Sequence, residues 1–267
     1  MHQTPYIMEH EGEAFRLDLK TDGMSVNRQA LWAGLQTGMR VADVGCGSGK
    51  TTQYLHQLIQ PNGSVLGVDS SATRIRHAVE HVKGTGIDFV CKDLYEPLSD
   101  LGKFDFIWVR FVLEYNRSRS SEMVENLALA LKPGGILCLV DLDYNCLSHF
   151  GLSPRLEKTI NGIMETLEQD FDFDPYAGRK LYSYLYDIGF HDIEVDMTPH
   201  HLIYGKLNDI DAYNWTKKVE VAAKTSGYEF DEYPGGYEEF YKEFKKFFAD
   251  PRRFTYTPII SCRGRKP

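Results

Sequence analysis

Short apolar runs alternate with stretches of helical periodicity through the first two thirds of the chain, the pattern of βα units built around a parallel sheet. Seven strands are predicted, at residues 40–44, 65–69, 87–91, 104–109, 136–141, 193–197 and 257–263. Most are β-branched-rich and apolar almost throughout, as strands buried on both faces are. Helices are predicted between them at 51–59, 72–83 and 120–131. The last is closed by Lys132-Pro133-Gly134-Gly135, because proline and glycine do not continue a helix. Beyond Asp141 the alternation loosens: residues 144–186 read as loop and helices, and 206–249 as a helical insertion ahead of the last strand. No internal repeat or low-complexity segment is found.

Composition narrows the class. The 267 residues are 42% apolar and 25% charged, with a formal net charge of −8. That suits one large soluble domain or two small ones and excludes a disordered or fibrous chain. Five cysteines (Cys46, Cys91, Cys138, Cys146, Cys262) are widely spaced and form no C-x-x-C pair, which argues against a disulfide framework or zinc ribbon and for a reducing cytoplasm. Residues 1–22 lack the basic start and apolar run of a signal peptide, and no apolar stretch reaches membrane-spanning length; a soluble protein is expected. A pI near 5.6 disfavours a broad nucleic-acid surface, which relies on clustered Lys and Arg. Residues 200–256 hold 14 of the chain's 34 aromatic residues, at helical spacing from Tyr237 to Phe248. That stripe reads either as one helix face packed on the core or as a lid over an apolar acceptor pocket.

The strongest motif is Val41-Ala42-Asp43-Val44-Gly45-Cys46-Gly47-Ser48-Gly49-Lys50-Thr51-Thr52, a strand running through a glycine-rich turn into a helix. A dinucleotide-binding G-x-G-x-x-G loop needs its third glycine where Lys50 stands, so that reading fails on spacing. A P-loop would use Gly49-Lys50-Thr51 but needs a glycine at Val44; Gly45 is one residue too close for the loop to wrap a phosphate.

What remains, Asp43-x-Gly45-x-Gly47-x-Gly49, resembles motif I of the class I S-adenosylmethionine-dependent methyltransferases, and the resemblance extends over residues 38–141. It implies a doubly wound α/β fold with a seven-stranded, Rossmann-like sheet, mostly parallel with an antiparallel last strand. S-adenosyl-L-methionine is the cofactor it implies, with Asp43, Gly45, Cys46 and Gly47 in the loop that approaches it. Asp69, with Ser70 beside it, matches the acidic residue that ends the second strand and binds the ribose hydroxyls; a carboxylate suits a vicinal diol because its two oxygens accept together. Asp93 and Leu94 match the third-strand pair that meets the adenine, and Arg110 and Phe111 the fourth-strand end beside the methionine part. Leu131-Lys132-Pro133-Gly134-Gly135 and Ile188-Gly189-Phe190 fall where the family places them before its fifth and sixth strands. The segment from Tyr6 to Leu17 resembles helices that fold over the cofactor in small-molecule members, which makes Tyr6, Met8 and Arg16 further cofactor-binding candidates; the alternative is a helix docked on the sheet's flank. Taken singly, Asp69 and Asp93 also read as solvated strand-end carboxylates.

Other features carry less. His77-Ala78-Val79-Glu80-His81 spells H-x-x-E-H, but lies on a helix that covers the sheet away from the strand-end crevice, so it is read as a solvated face and no metal is expected. Arg252-Arg253 and Arg263-Gly264-Arg265-Lys266 are short basic clusters, read as a frayed tail, with a phosphate contact as the alternative. Neither [ND]-P-P-[YF] after the fourth strand nor any Pro-Cys pair occurs, which disfavours base-modifying members of the family. The expected organisation is an N-terminal helical segment at 1–37, a methyltransferase core at 38–205 and 256–267, and an aromatic-rich helical cap at 206–255. The expected activity is methyl transfer to a small molecule, with nucleic acid and membrane disfavoured as partners. A methyltransferase acting on protein or RNA, or a non-catalytic cofactor-binding protein, is the alternative. No catalytic residue is assigned; a base would come from Asp141, Tyr144 or His200.

Overall fold

The apolar runs pair side by side into one twisted sheet, whose central strands, Arg40–Val44, Phe104–Arg110 and Leu131–Leu142, are buried on both faces and must be covered by helices. The computed structural model of the protein describes residues 22–84 and 86–267. Its elements, in chain order, are α1 (Gly23–Trp32), β1 (Arg40–Val44), α2 (Lys50–Leu58), β2 (Ser64–Asp69), α3 (Ala72–His81), β3 (Ile87–Cys91), β4 (Phe104–Arg110), α4 (Ser120–Leu129), β5 (Leu131–Leu142), β6 (His149–Phe150), α5 (Pro154–Asp170), α6 (Leu181–Asp187), β7 (His191–Tyr204), α7 (Asp209–Ser226), α8 (Gly236–Ala249) and β8 (Phe254–Arg265).

The sheet order is β3-β2-β1-β4-β5-β8, with β7 on the outer side of β8 and the short β6 continuing along the β5 side. β1 to β5 run parallel, and β8 runs antiparallel between β5 and β7. The doubly wound, mostly parallel sheet with an antiparallel last strand is therefore present. It has eight strands rather than seven, because His149 and Phe150 pair with Thr255 and Phe254 beyond the end of β5.

Central strand β4 shows why helices cover both faces: Ile107 and Val109 enter one core cluster, with residues of α4 and α6, while Phe106 and Trp108 enter the other, with α1 and α2. A third cluster is built mainly by helices and touches the sheet through Ile203 of β7. Leu156, Ile160, Ile163 and Leu167 of α5 meet Trp215, Val219 and Ala223 of α7 and the Phe240, Phe244, Phe247 and Phe248 stripe of α8. The spacing in each helix is the i, i+3, i+4 repeat that makes one apolar face. The aromatic stripe thus packs inward, and α5, from outside the expected 206–255 insertion, shares its core.

Several readings of the sequence differ from the structure. β7 and β8 form a long ladder from His191 opposite Arg265 to Tyr204 opposite Phe254. Their pairing extends both strands past the apolar runs that marked them and carries His200 and His201 inside β7. The basic end is not frayed: Arg263 pairs with Glu194 at 2.5 Å, Arg265 donates to Gly134 O, and Lys266 Nζ donates to Ala128 O and Leu131 O. α4 ends at Leu129, and Leu131 already pairs with Phe104 in β5 before a register shift brings Ile136 opposite Phe106. The 65–69 strand gains Ser64.

Candidate functional site

Strand order reverses between β1 and β4, since β2 and β3 follow on one side and β4 and β5 on the other. In an open α/β sheet the crevice beyond the strand ends at such a point is where ligands bind. The Gly45 loop, Asp69 and Arg110 all stand there, at the C-terminal ends of β1, β2 and β4.

The loop is pinned from below and shaped by its glycines. Gly45 and Cys46 N–H both donate to Val68 O (2.8 and 3.1 Å), and Gly47 N–H donates to Asp69 Oδ2 at 2.9 Å. Gly45 has a φ of +74°, and a Cβ there would lie 2.2 Å from Val112 Cγ2. Only glycine meets both demands, an unfavourable φ and a close neighbour.

Asp69 is buried (4% exposed), and its other oxygen accepts from Ser71 N–H (2.9 Å) and Arg74 Nε (3.1 Å). Three of the roughly four acceptor positions of a carboxylate are occupied, which leaves Oδ2 able to accept one more donor. Ser70 is exposed beside it. At the end of β3, Asp93 Oδ1 accepts from Tyr95 N–H (3.0 Å), and Leu94 is buried. On the far side of the loop the half-buried Arg110 stacks over the Phe111 ring at 4.0 Å, and its Nε is buried without a hydrogen-bond partner. Phe111 adopts a φ of +59°, a conformation bulky residues hold only under constraint, and meets His200 edge-on at 5.1 Å.

Asp43 lies beneath the loop, 2% exposed. Burial pushes its carboxyl from 3.8 up to about 7, against the opposing hydrogen bond from Thr52 Oγ1 (2.6 Å), with the Asp69 charge adding to the rise and Arg110 opposing it. Burial likewise lowers Arg110 to about 10, opposed first by Asp43 and then by Asp141. Because the folded Asp43 keeps a proton that the unfolded chain has released, stability falls as pH rises from about 4 to about 7 and then levels. Asp43→Asn is expected to flatten part of that slope, read from denaturation midpoints at about pH 5 and about pH 8; an unchanged slope would show that Asp43 is not its source.

The three base candidates separate. Asp141 is buried, accepts from the Glu114 and Leu142 N–H groups (3.1 and 2.9 Å), and is held well above the carboxylate range by burial and by Glu114. Tyr144 is 42% exposed and packs on Tyr176 and Arg179. His200 alone faces Phe111. Three residues not singled out from the sequence join Asp141: buried Glu114 accepts from Asn145 Nδ2 (2.6 Å), and Asn145 Oδ1 accepts from Lys218 Nζ of α7 (2.6 Å). Glu114 had a signal, a carboxylate inside the apolar run Val112-Leu113-Glu114-Tyr115. Tyr6, Met8 and Arg16 lie outside the described residues. His77 and His81 stack on one another at 4.0 Å, and no group of three or more His, Cys, Asp or Glu suited to a metal occurs among the described residues.

Residues 41–135 match the methyltransferase domain family. Over 175 residues, 57% of this chain and 67% of the relative, the sequence is 29% identical to the ubiquinone/menaquinone biosynthesis C-methyltransferase UbiE of Pseudomonas paraeruginosa. The chain carries a methyltransferase domain. A ubiquinone biosynthesis O-methyltransferase of Chelativorans sp. is 35% identical over 111 residues, covering 40% of this methyltransferase and 41% of the relative. The Haemonchus contortus phosphoethanolamine N-methyltransferase 2, solved with phosphomonomethylethanolamine and S-adenosylhomocysteine, shares the fold, with a TM-score of 0.58 and 19% identity across 95% of this chain and 57% of that one. S-adenosylmethionine is the methyltransferase's cofactor, and the crevice fits it: Asp69 Oδ2 retains acceptor capacity where the strand order reverses. No helix among the described residues is long and apolar enough to cross a membrane.

Proposed function

We propose that this methyltransferase moves a methyl group to a small-molecule acceptor bound between the strand-end crevice and the α5–α7–α8 cluster. The observation that carries the assignment of the cofactor site is Asp69, fixed by Gly47 N–H at the switch point with an acceptor position to spare. Asp69 and Ser70 take the ribose, Asp93 and Leu94 the adenine, and Arg110 and Phe111 the methionine end, over the loop of Asp43, Gly45, Cys46 and Gly47. Tyr6, Met8 and Arg16 are assigned to cover the cofactor.

S-adenosylmethionine supplies an electrophilic methyl carbon on its sulfonium. The protein's part is to bind, orient and exclude water: holding reacting atoms about 3–3.5 Å apart in line supplies a large share of a rate without a covalent intermediate. His200 is assigned here as the imidazole that takes a proton from an acceptor, a reading supported by its contact with Phe111.

The relatives' names differ in the atom methylated, carbon in one, oxygen in another and nitrogen in the third, so the shared half is read as the cofactor half and the helical cluster as the part that selects the acceptor. A small acceptor is supported by the C-terminal basic residues: Arg252 is held by Asp250, Arg263 by Glu194, and Lys266 by backbone carbonyls, so these three are engaged within the protein rather than turned to an RNA backbone. All five cysteines are free thiols, in keeping with a reducing cytoplasm.

Asp69→Ala is expected to weaken S-adenosylhomocysteine binding by roughly tenfold to a hundredfold, the worth of hydrogen bonds to a charged group. Calorimetric titration measures it, and an unchanged affinity would remove the ribose assignment.

A further inference from the structure

The chemistry of the acceptor follows from a row of rings and two cations next to it, given the proposed reading that the acceptor lies beneath the cap. In a regular strand His200 and His201 would point to opposite faces. The register of β7 shifts between Pro199, opposite Pro258, and His201, opposite Thr257, and this irregularity leaves the two imidazole centroids only 4.2 Å apart. Bulges re-aim side chains in this way. His200 meets Phe111 at 5.1 Å, His201 meets Trp215 of α7 at 5.3 Å, and Trp215 meets His149 at 5.2 Å. The rings therefore lead from the cofactor end of β4 to the cap.

The cap end of that row is positively charged. Lys218, one turn after Trp215, has its Nζ 5.6 Å from the indole and donates to the neutral amide of Asn145. Arg253 is 2% exposed and lies 5.0 Å over Phe248, which itself packs on Trp215 at 5.4 Å. Burial and the fields of Lys218 and Arg253 together lower His149 to about 4, so both cations act on one place.

Arg253 and Trp215 lack partners they need. Arg253 makes one long bond, from an Nη to Gly205 O at 3.4 Å, while its Nε and other Nη are buried with none. The carboxylates whose fields reach it are Asp211 and Asp250, and Asp250 is already held by Arg252. The Trp215 indole N–H is also buried without an acceptor. Unpaired buried donors, a guanidinium above all, are costly, and in a chain of net charge −8 a carboxylate partner would have been easy to supply. What these donors share is a demand for anionic oxygen, and the rings beside them present faces and edges suited to a flat body.

We infer that the acceptor is a planar molecule bearing an anionic oxygen, its anionic end held by Trp215, Lys218 and Arg253 and its ring directed along His201 and His200 toward Phe111. The test is calorimetric titration of the full chain with benzoate and with its neutral counterpart benzamide, with and without saturating S-adenosylhomocysteine. Benzoate is expected to bind about tenfold more tightly than benzamide, with Lys218→Met and Arg253→Met each removing about tenfold of benzoate affinity and leaving benzamide unchanged. Arg253→Lys, which keeps the charge, is expected to recover part of the loss. Should Arg253→Met fail to fold, Lys218→Met decides alone, because Lys218 is only part-buried. Equal binding of the two probes, absence of saturable benzoate binding, or an unaltered benzoate affinity in Lys218→Met would overturn the inference. Failure of S-adenosylhomocysteine to bind would instead overturn the cofactor-site reading, and the benzoate series without it reports separately.

Discussion

Gly45→Ala is expected to lower stability by about 2–4 kcal/mol and to weaken S-adenosylhomocysteine binding beyond the loss expected for Asp69→Ala. Two costs add. An L-residue at a φ of +74° is strained, by about 1–2 kcal/mol. The new methyl must also displace Val112, whose Cγ2 lies 2.2 Å from the Cβ position. Val112 cannot yield freely, for it is 8% exposed within the main core cluster and follows Phe111, itself held at positive φ. Relief therefore has to come from the loop, and with it moves the Gly47 N–H that fixes Asp69. Urea denaturation at constant m and calorimetry measure the two effects; near-wild-type values in both would mean that the turn relaxes without disturbing the crevice.

Phe244→Ala carries the second large effect, about 3–5 kcal/mol for truncating a fully buried aromatic. Phe244 is 0% exposed and stacks on Phe248 with centroids 5.5 Å apart and planes 13° from parallel. Its cluster draws on α5, α7 and α8 and shares no buried residue with the two clusters flanking the sheet. The loss is therefore expected to fall on the cap: an early unfolding transition by near-ultraviolet circular dichroism, with S-adenosylhomocysteine affinity within about threefold of the parent protein. A single transition in which cofactor binding is lost as well would show that cap and sheet melt as one unit.

The parts of the molecule legible in the sequence are those governed by local chemistry. β1, β4 and β5 announced themselves because a strand buried on both faces has to be apolar, and Gly45, Asp69 and Asp93 because strand ends are punctuated by glycine and carboxylate. What escaped depends on pairing across distance. Glu114, Asn145 and Lys218 are joined by bonds between residues 31 and 73 positions apart, and no spacing rule links them. The shift that gathers His200 and His201 exists only in the register of β7 against β8. Those same strands outran their apolar runs because a ladder, once begun, continues through histidine, proline and arginine wherever backbone partners remain. The packing of α5 against α7 and α8 was hidden for a like reason: its apolar repeat says that one face is buried, not against what.

The outer edge of the sheet has a bearing on how this protein behaves when concentrated. β7 is fourteen residues long and pairs, among the described residues, with β8 alone. A long bare edge invites a neighbouring chain to add a strand, and natural sheets deter this with proline, charge and irregular register. β7 has all three: Pro199 offers no N–H, Asp192, Glu194 and Asp196 place carboxylates along one end, and the ladder is broken twice. The register shift that turns His200 and His201 toward one another also interrupts the template on which fibrous aggregation would grow, so a substitution that regularised β7 would endanger solubility as well as the site.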